Sequence, residues 1–558
     1  MNFPLSLAGA RVYRKPAKEN RRMGSLATVT LAGVLLSACA TSRGTDTRSV
    51  VAAPGTGATP EFLQPIDLIP SALGPFSWTI STSEPRAQEY FDQGMQLRYA
   101  YNVTEAARSM AEARRLDPQC AMCFWGEAFA LGSFLNGGMS ADRSRRAHAA
   151  IEEAVALSSS ATAVERDLIL AARNRYPADY DPEQRRPVDE SFAEEMAKVY
   201  GKYPDHHEVA VVYAVALFLL EERLGHRDVE DPDLIRLHGV LTGVLEGDIE
   251  HPGACHLYVH ATESTQQPEL ALACAEHLGQ AVPVASHVQH MPSHTWNEVG
   301  LWGRSVQANI AAWHSDQKAA KELGFSYART HNLHMLLFAA SMDGQGAIAT
   351  QAGKDFAKIG GDTMHQVLTL LRFGRFDEIL QVKKRPSAEV AGGFWEFAQG
   401  YAELRTGDAA AAHEHLARVQ DLAQHSEATL RFHPAKQLMG LAAAILEGEI
   451  LRAQGDLHAA INAFERAAEL DDQQRFDEPE PIPFAARHWL GAALLQAGHA
   501  AEAEDVYRTE LADHPHNVWS LHGLRAALEA QGKTDPEVDQ DFAQSTARSD
   551  TWITASRF

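Results

Sequence analysis

The chain has 558 residues, of which 45% are hydrophobic and 22% charged, and its formal net charge is −23 at pH 7. The hydrophobic content excludes a disordered chain, and the length exceeds what one simple core needs, so we expect several domains or one long repeat array. The acidic excess keeps the protein soluble and argues against nucleic acid as a partner, because phosphates would be repelled.

An apolar run near the N-terminus has the pattern of an export signal. Two arginines precede it, and it ends in the letters LSAC, whose cysteine is Cys39. This resembles a bacterial lipoprotein signal, so we predict a signal peptide over residues 1–38 and a lipid anchor on Cys39 that holds the protein to the membrane. An ordinary cleaved signal or an N-terminal anchor is the alternative. Ala40 favours the outer membrane of the cell envelope, facing the periplasm.

Residues 39–75 are rich in Thr, Gly, Ala, Pro and Ser, which predicts a flexible tether between the lipid and the folded body. Four cysteines follow this stretch. A disulfide is possible in an oxidising periplasm, but we favour four buried, inert thiols. The four are Cys120, Cys123, Cys255 and Cys274.

Helical repeats dominate the rest of the chain. Segments of roughly 12 to 18 residues, rich in Ala, Leu and Glu, alternate with short Gly, Pro or Asp breaks, and strand signals are scarce. Internal similarity recurs at a period of about 34 residues. In the clearest unit Gly94 lets two helices approach closely, and Ala106 and Ala113 are small contact points on the second helix. Two later units repeat this spacing, with Gly448, Ala460, Phe464 and Ala467, and with Gly491, Ala503, Tyr507 and Pro515.

This pattern predicts an all-α fold, a tetratricopeptide-repeat-like α-solenoid in which antiparallel helix pairs stack into a superhelix. Stacking buries the apolar face that each pair cannot bury alone, and the concave surface is the usual binding face for a peptide or protein. The predicted organisation is N-terminal helical repeats over 76–245, histidine-rich repeats over 246–345, C-terminal tetratricopeptide repeats over 346–540 and a tail over 541–558.

Residues from about 85 to 535 resemble a family of bacterial tetratricopeptide-repeat proteins. The resemblance rests on the motifs HPGACHLYVHATE, HMPSHTWNEVG and HNLHM, and on the ending DEP…LGAALLQAG…YRTELADHPHN…LHGL. It implies the repeat fold more than any chemistry.

Ten of the 26 histidines lie between His251 and His334. On a helix His256, His260 and Glu263 fall within about 60° of one another. Histidines at i and i+4 chelate one ion, and the carboxylate three residues on is either a third ligand or holds a histidine in place. The HExxH motif is absent, so the sequence does not support a zinc peptidase.

The next two motifs repeat this histidine pattern. His287, His290 and His294 share one helical face, within which Pro292 either kinks the helix or begins a new one with His290 in the turn before it. In the third motif His331 and His334 are i and i+3. Sequence neighbours on a helix face apart, so we expect Met291 and Met335 in the core.

The histidine motifs predict a site for zinc, copper or iron. Its centre would be His256, His260, Glu263, His290 and His294, completed or surrounded by His331, His334 and His251. A polar ligand pocket without metal and histidines that only bridge the repeats are the alternatives. We expect His277, His287 and His314 to be ordinary core or surface residues.

We expect two acidic segments to be structural and not part of a site. Asp205 to Glu208 are expected to form a solvated helix start. Asp477 and Glu478, in the insert DDQQRFDEPEPIP, could reach a site, but we expect an exposed loop. Two functions stay open: an envelope metalloprotein, with enzymatic activity undecided, and a non-catalytic scaffold lipoprotein that binds a partner protein.

Overall fold

The computed structural model describes residues 61–221, 225–327 and 329–557, and helices account for most of them. The first half contains α1 Pro85–Tyr99, α2 Val103–Leu116, α3 Ala121–Leu131, α4 Ala141–Leu157, α5 Ala163–Arg173, α6 Arg185–Lys202, α7 His207–Phe218, α8 Pro232–Leu245, α9 Pro252–Thr262, α10 Leu272–Ala281, α11 Ser286–His290 and α12 Pro292–Glu298. The second half contains α13 Trp302–Glu322, α14 Arg329–Met342, α15 Gly346–Gly360, α16 Met364–Arg372, α17 Phe376–Ile379, α18 Glu389–Thr406, α19 Ala409–His425, α20 Ala435–Ala453, α21 Leu457–Asp472, α22 Arg487–Ala497, α23 Ala500–Asp513, α24 Val518–Ala530 and α25 Pro536–Thr546.

Each helix packs mainly against its neighbours in the sequence, which is the contact pattern of a solenoid. The described strands are two short antiparallel segments, β1 Thr429–Leu430 and β2 His433–Pro434. The prediction of an all-α, tetratricopeptide-repeat-like solenoid is therefore confirmed. Within the described ranges, no helix is both long and apolar enough to cross a membrane.

Glycines sit where the predicted repeat units bring two helices together. A Cβ on Gly94 would lie 2.6 Å from Cε of Met110, and one on Gly448 would lie 2.4 Å from Cε1 of Phe464. These pairs are α1 with α2 and α20 with α21. Only a residue without a side chain permits such an approach, so the repeat spacing has a direct steric cause.

The C-terminal repeats also contact helices far back in the chain. The indole Nε1 of Trp302 donates to the carbonyl of Pro515 at 2.8 Å, and that of Trp519 donates to the carbonyl of Ser341 at 2.7 Å. Both indoles are buried. These bonds hold α24 and the end of α23 against α13 and α14, so late segments of the chain lie beside the histidine-rich one.

Both ends of the described chain pack against helices. Residues 61–75 belong to the predicted tether, and within them Ile69 N and Gly74 N donate to the side chains of Gln93 and Gln96 of α1. At the other end, Asp550 of the predicted tail accepts from the backbone N–H of Gly346. The predicted signal peptide and the predicted lipidation site, Cys39, lie outside the described residues.

The four cysteines are buried, as expected, but they are not free thiols. Cys120 pairs with Cys123, and Cys255 pairs with Cys274. The expectation of inert thiols was wrong, because the loop after α9 returns the chain so that α10 lies against α9. The second disulfide fastens one histidine-bearing helix to its neighbour.

Candidate metal centre

The first histidine motif forms a helix that is buried on every side. His251 is the N-cap of α9: its Nδ1 accepts from the backbone N–H of Ala254 at 3.2 Å, and Pro252 occupies the first helical position. All residues of α9 are buried. The histidine face of this helix therefore points into the protein interior and not into solvent.

Pro292 begins a new helix. It is the first residue of α12, whereas His290 is the last residue of α11. Proline is tolerated at this position because the first turn leaves N–H groups without intrahelical partners. Of the two alternatives, the structure thus selects the helix start over the kink, and His290 and His294 lie on two short consecutive helices.

Six histidines converge in two groups of three. The first set is His256, His260 and His287, and the second set is His290, His294 and His331. Within each set the ligand nitrogens lie within 4.8 Å of one another. Five of the six are buried, and His331 is half-buried.

His287 is a core residue, within the expectation, but it also contacts two other histidines of the centre. This residue is 1% exposed, its Nε2 lies 3.0 Å from Nε2 of His256, and its Nδ1 lies 3.0 Å from Nε2 of His290. It therefore joins the two sets. His277 and His314 lie outside both sets, and both are exposed.

Glu263 connects the two sets through its carboxylate. Oε1 accepts from Nδ1 of His260 at 2.8 Å, and Oε2 accepts from Nδ1 of His294 at 2.6 Å. A carboxylate can only accept, so both Nδ1 atoms carry the proton and both Nε2 atoms carry the lone pair. This is the arrangement by which outer carboxylates orient metal-binding histidines.

His256 is oriented in the same way by the backbone. Its Nδ1 donates to the carbonyl of Tyr99 at 2.5 Å, which leaves the lone pair on Nε2. The Tyr99 hydroxyl bonds to Glu208, whose other oxygen lies 2.8 Å from Nε2 of His251. Glu208 is buried, so the expectation of a solvated helix start was wrong for this residue. His251 lies beside the centre and supports it, outside both sets.

Two tyrosines that the sequence did not single out cover the first set. The ring centroid of Tyr101 lies 4.3 Å from that of His256 and 5.1 Å from that of His287, and Tyr327 lies 4.2 Å from His287. Tyr101 has a φ of 59°, a left-handed conformation that non-glycine residues rarely adopt. Strain of this kind clusters at functional sites. No sequence pattern marks Tyr101 beyond its place in the turn after α1.

Burial keeps several of these imidazoles neutral. It lowers the pKa of His287 and His290 well below the ordinary value, and the neighbouring histidines lower it further. Burial, followed by His294, lowers the pKa of His331 to about 3. Nδ1 of His290 is also buried and has no hydrogen-bond partner among the described residues. Neutral imidazole is the form that binds metal ions.

His334 joins neither set. It lies on α14, as predicted, but its ring packs at 4.2 Å from that of His365 on α16. Both rings are buried. A three-residue spacing on α14 places His331 and His334 on one side of the helix, yet only His331 reaches the second set. Met291 and Met335 are buried, as expected.

The acidic insert folds over the second set. Asp477 accepts from Arg431 at 2.9 Å and lies 3.1 Å from Nε2 of His433. Glu478 approaches to 3.9 Å from Nδ1 of His294. The expectation of an exposed loop was wrong, because Arg431 and His433, which precede Asp477 by more than 40 residues, draw the insert inward.

Two cavities reach the centre from different sides. An acidic cleft, open to solvent, is lined by Glu263, His294, Asp477 and Glu478 among others. A more apolar cavity is lined by residues that include Tyr101, Phe134 and His256. The acidic cleft therefore touches His294 of the second set, and the apolar cavity touches His256 of the first set.

No protein-family model matches the chain, and no curated protein matches it. The human IFIT1 dimer with m7Gppp-AAAA is 11% identical over 85% of this chain and 97% of that chain, with a TM-score of 0.30. The APC/C hetero-tetramer Cut9-Hcn1 is 12% identical over 85% and 89%, with a TM-score of 0.29. Yeast Tom70 is 10% identical over 83% and 100%, with a TM-score of 0.30. Such likenesses carry no functional inference for this chain.

Proposed function

We propose that this protein is an envelope-anchored helical-repeat lipoprotein that binds a zinc, copper or iron ion in its histidine-rich centre. One observation carries the proposal: the two oxygens of Glu263 hold His260 and His294, from two different helices, by their Nδ1 atoms. A buried carboxylate that holds two imidazoles with their lone pairs on Nε2 orients them as metal-binding histidines are usually oriented.

The donor chemistry supports the same conclusion. Imidazole nitrogen suits zinc, copper, iron and nickel, whereas calcium and magnesium prefer oxygen. An ion held by three protein ligands keeps a coordination position for water or a substrate. The acidic cleft at His294 supplies a route by which small molecules can reach this position. Such a centre can activate water or, with copper or iron, carry out an oxidation.

Metal analysis of the purified protein tests the proposal. Full-length protein, extracted in detergent, is expected to hold stoichiometric metal, and His256→Ala and His294→Ala are each expected to hold less metal than the parent. His314→Ala is the matched control, because His314 is exposed and outside both sets. A metal content that is unchanged in both centre variants would contradict the assigned site.

A parent protein that is purified without metal and cannot be reloaded would contradict the proposal that this protein binds a metal ion. The scaffold alternative, a non-catalytic lipoprotein whose concave face holds a peptide or protein, would then account for the repeat fold. Buried histidines would serve only as hydrogen-bonding groups.

The lipid anchor needs a separate experiment, since Cys39 lies outside the described residues. Cells fed a labelled lipid precursor are expected to transfer label to the parent and not to Cys39→Ala. Labelling of both proteins would refute the anchor and, with it, the proposed placement at the outer membrane facing the periplasm.

A further inference from the structure

We infer that the centre holds two metal ions side by side, one on each three-histidine set. This rests on the proposed metal binding and adds the number of ions, the ligands of each and the role of Glu263. The starting observation is that the six histidines form two separate groups of three, each with its ligand nitrogens within 4.8 Å. One ion takes four ligands in the tetrahedral geometry usual for zinc, so six imidazoles exceed the needs of one such ion.

The spacing within the first set already fits a shared ion. Two nitrogens bound to one ion at about 2.0 Å with a tetrahedral angle lie roughly 3.3 Å apart. Nε2 of His256 and Nε2 of His287 are 3.0 Å apart in a hydrogen bond, and an ion between them would require the proton of His287 to move to its Nδ1. The backbone carbonyl of Tyr99 and the carboxylate of Glu263 turn the lone pairs of His256 and His260 toward Nε2.

In the second set, Glu263 turns the lone pair of His294 toward Nε2 in the same way. Ring contacts place the two sets next to each other: the His260 and His294 rings are 5.4 Å apart, and the His287 and His290 rings are 4.9 Å apart. Two ions on these sets would therefore be close neighbours. Paired ions at such proximity can act together on one bound molecule.

A single-ion arrangement competes with this inference. The ligand atoms of His260, Glu263, His294 and Glu478 also lie within 4.8 Å of one another, and an ion there would take Glu263 as a ligand. That arrangement costs the two charge-assisted bonds between Glu263 and the Nδ1–H groups. In the two-ion arrangement both bonds persist and Glu263 positions the rings without touching either ion.

The proton shared by His287 and His290 affects how tightly the second ion binds. One proton lies in the hydrogen bond between Nδ1 of His287 and Nε2 of His290. If Nε2 of His287 and Nδ1 of His290 each bound an ion, His287 would carry its proton on Nδ1 and His290 would carry its proton on Nε2. These two nitrogens face each other, and two protons do not fit between atoms 3.0 Å apart. Filling both sets must therefore break this hydrogen bond or release a proton. We expect the second ion to bind more weakly than the first.

Ion stoichiometry tests the inference. Full-length protein in detergent is stripped with a chelator and titrated with Zn²⁺, or with Cu⁺ in the absence of oxygen. Bound ions per chain are counted by mass spectrometry of the elements after desalting. The parent and the exposed control His277→Gln are expected to hold two ions. His256→Gln and His331→Gln, one from each set, are expected to hold one, and Glu478→Gln is expected to hold two.

Each outcome decides between the arrangements. A parent that saturates at one ion, or a Glu478→Gln variant that falls to one or none, overturns the two-ion centre and leaves the proposed metal binding intact. A parent that binds no ion overturns both. If a histidine variant fails to fold, the parent loaded with Cu²⁺ gives an independent measurement. Magnetic coupling between two copper ions is expected in its paramagnetic resonance spectrum, and its absence at full loading overturns the inference.

Discussion

Replacing Glu263 by glutamine removes the carboxylate that accepts hydrogen bonds from both histidine sets, with little change in shape. The carboxylate accepts from Nδ1 of His260 and of His294, whereas an amide offers one oxygen acceptor and one nitrogen donor. One of the two histidines must then accept at Nδ1 and carry its proton on Nε2. In that tautomer the lone pair lies on Nδ1, so Nε2 cannot bind a metal.

The expected loss in metal affinity is 10- to 100-fold, the range typical for outer carboxylate partners of metal-binding histidines. This corresponds to about 1.4 to 2.7 kcal/mol. The structure favours the upper part of the range, because Glu263 is 1% exposed and each of its two oxygens holds one histidine. Ion stoichiometry is expected to stay that of the parent.

Competition with a chromophoric chelator measures this affinity. Glu250→Gln is the matched control, because the Glu250 side chain is 71% exposed and lies 3.8 Å from the exposed His277. Glu250→Gln is expected to bind like the parent. A Glu263→Gln protein that is folded by circular dichroism and binds metal within twofold of the parent would refute the positioning role of Glu263.

Three further predictions concern stability, measured by denaturant unfolding of the metal-free protein. Gly448→Ala is expected to cost about 1 to 3 kcal/mol of unfolding free energy, because the new Cβ would lie 2.4 Å from a phenylalanine ring. Gly239→Ala, whose Cβ would have no atom within 4 Å, is expected to stabilise α8 by about 0.5 to 1 kcal/mol. Equal effects of the two substitutions would contradict the steric account. Replacing Cys255 and Cys274 by alanine is expected to cost about 3 kcal/mol, the chain-entropy value for a loop of 19 residues, and no loss would mean that the pair does not form in the cell. Burial would raise the pKa of Glu396, but hydrogen bonds from a histidine and two arginines lower it to about 2, so its contribution of up to about 3 kcal/mol is complete above pH 4.5 and is lost as the pH falls toward 2. Glu396→Gln should flatten that part of the stability curve, and an unchanged acid limb would contradict the assignment.

Most of the fold follows from local patterns in the sequence. Apolar periodicity predicts the helices, and small residues such as Gly94 and Gly448 mark where two helices touch, since close approach has a fixed spacing within a repeat. The same local geometry placed His256 and His260 on one face, because residues four apart on a helix are neighbours whatever surrounds them. His290 and His294 keep that spacing even though a new helix begins at Pro292.

Contacts between distant segments were decided only by the tertiary structure. Glu208 is buried because it packs against Tyr99, which lies 109 residues earlier in the chain. Glu478 reaches His294 because the C-terminal repeats return to the histidine-rich helices. His287 resembles an ordinary histidine until α9 lies against its neighbours. Helical periodicity determines which side of a helix a residue occupies. Which sides then face each other depends on how every pair in the stack is rotated against the next, and the summed packing of the whole chain sets that rotation.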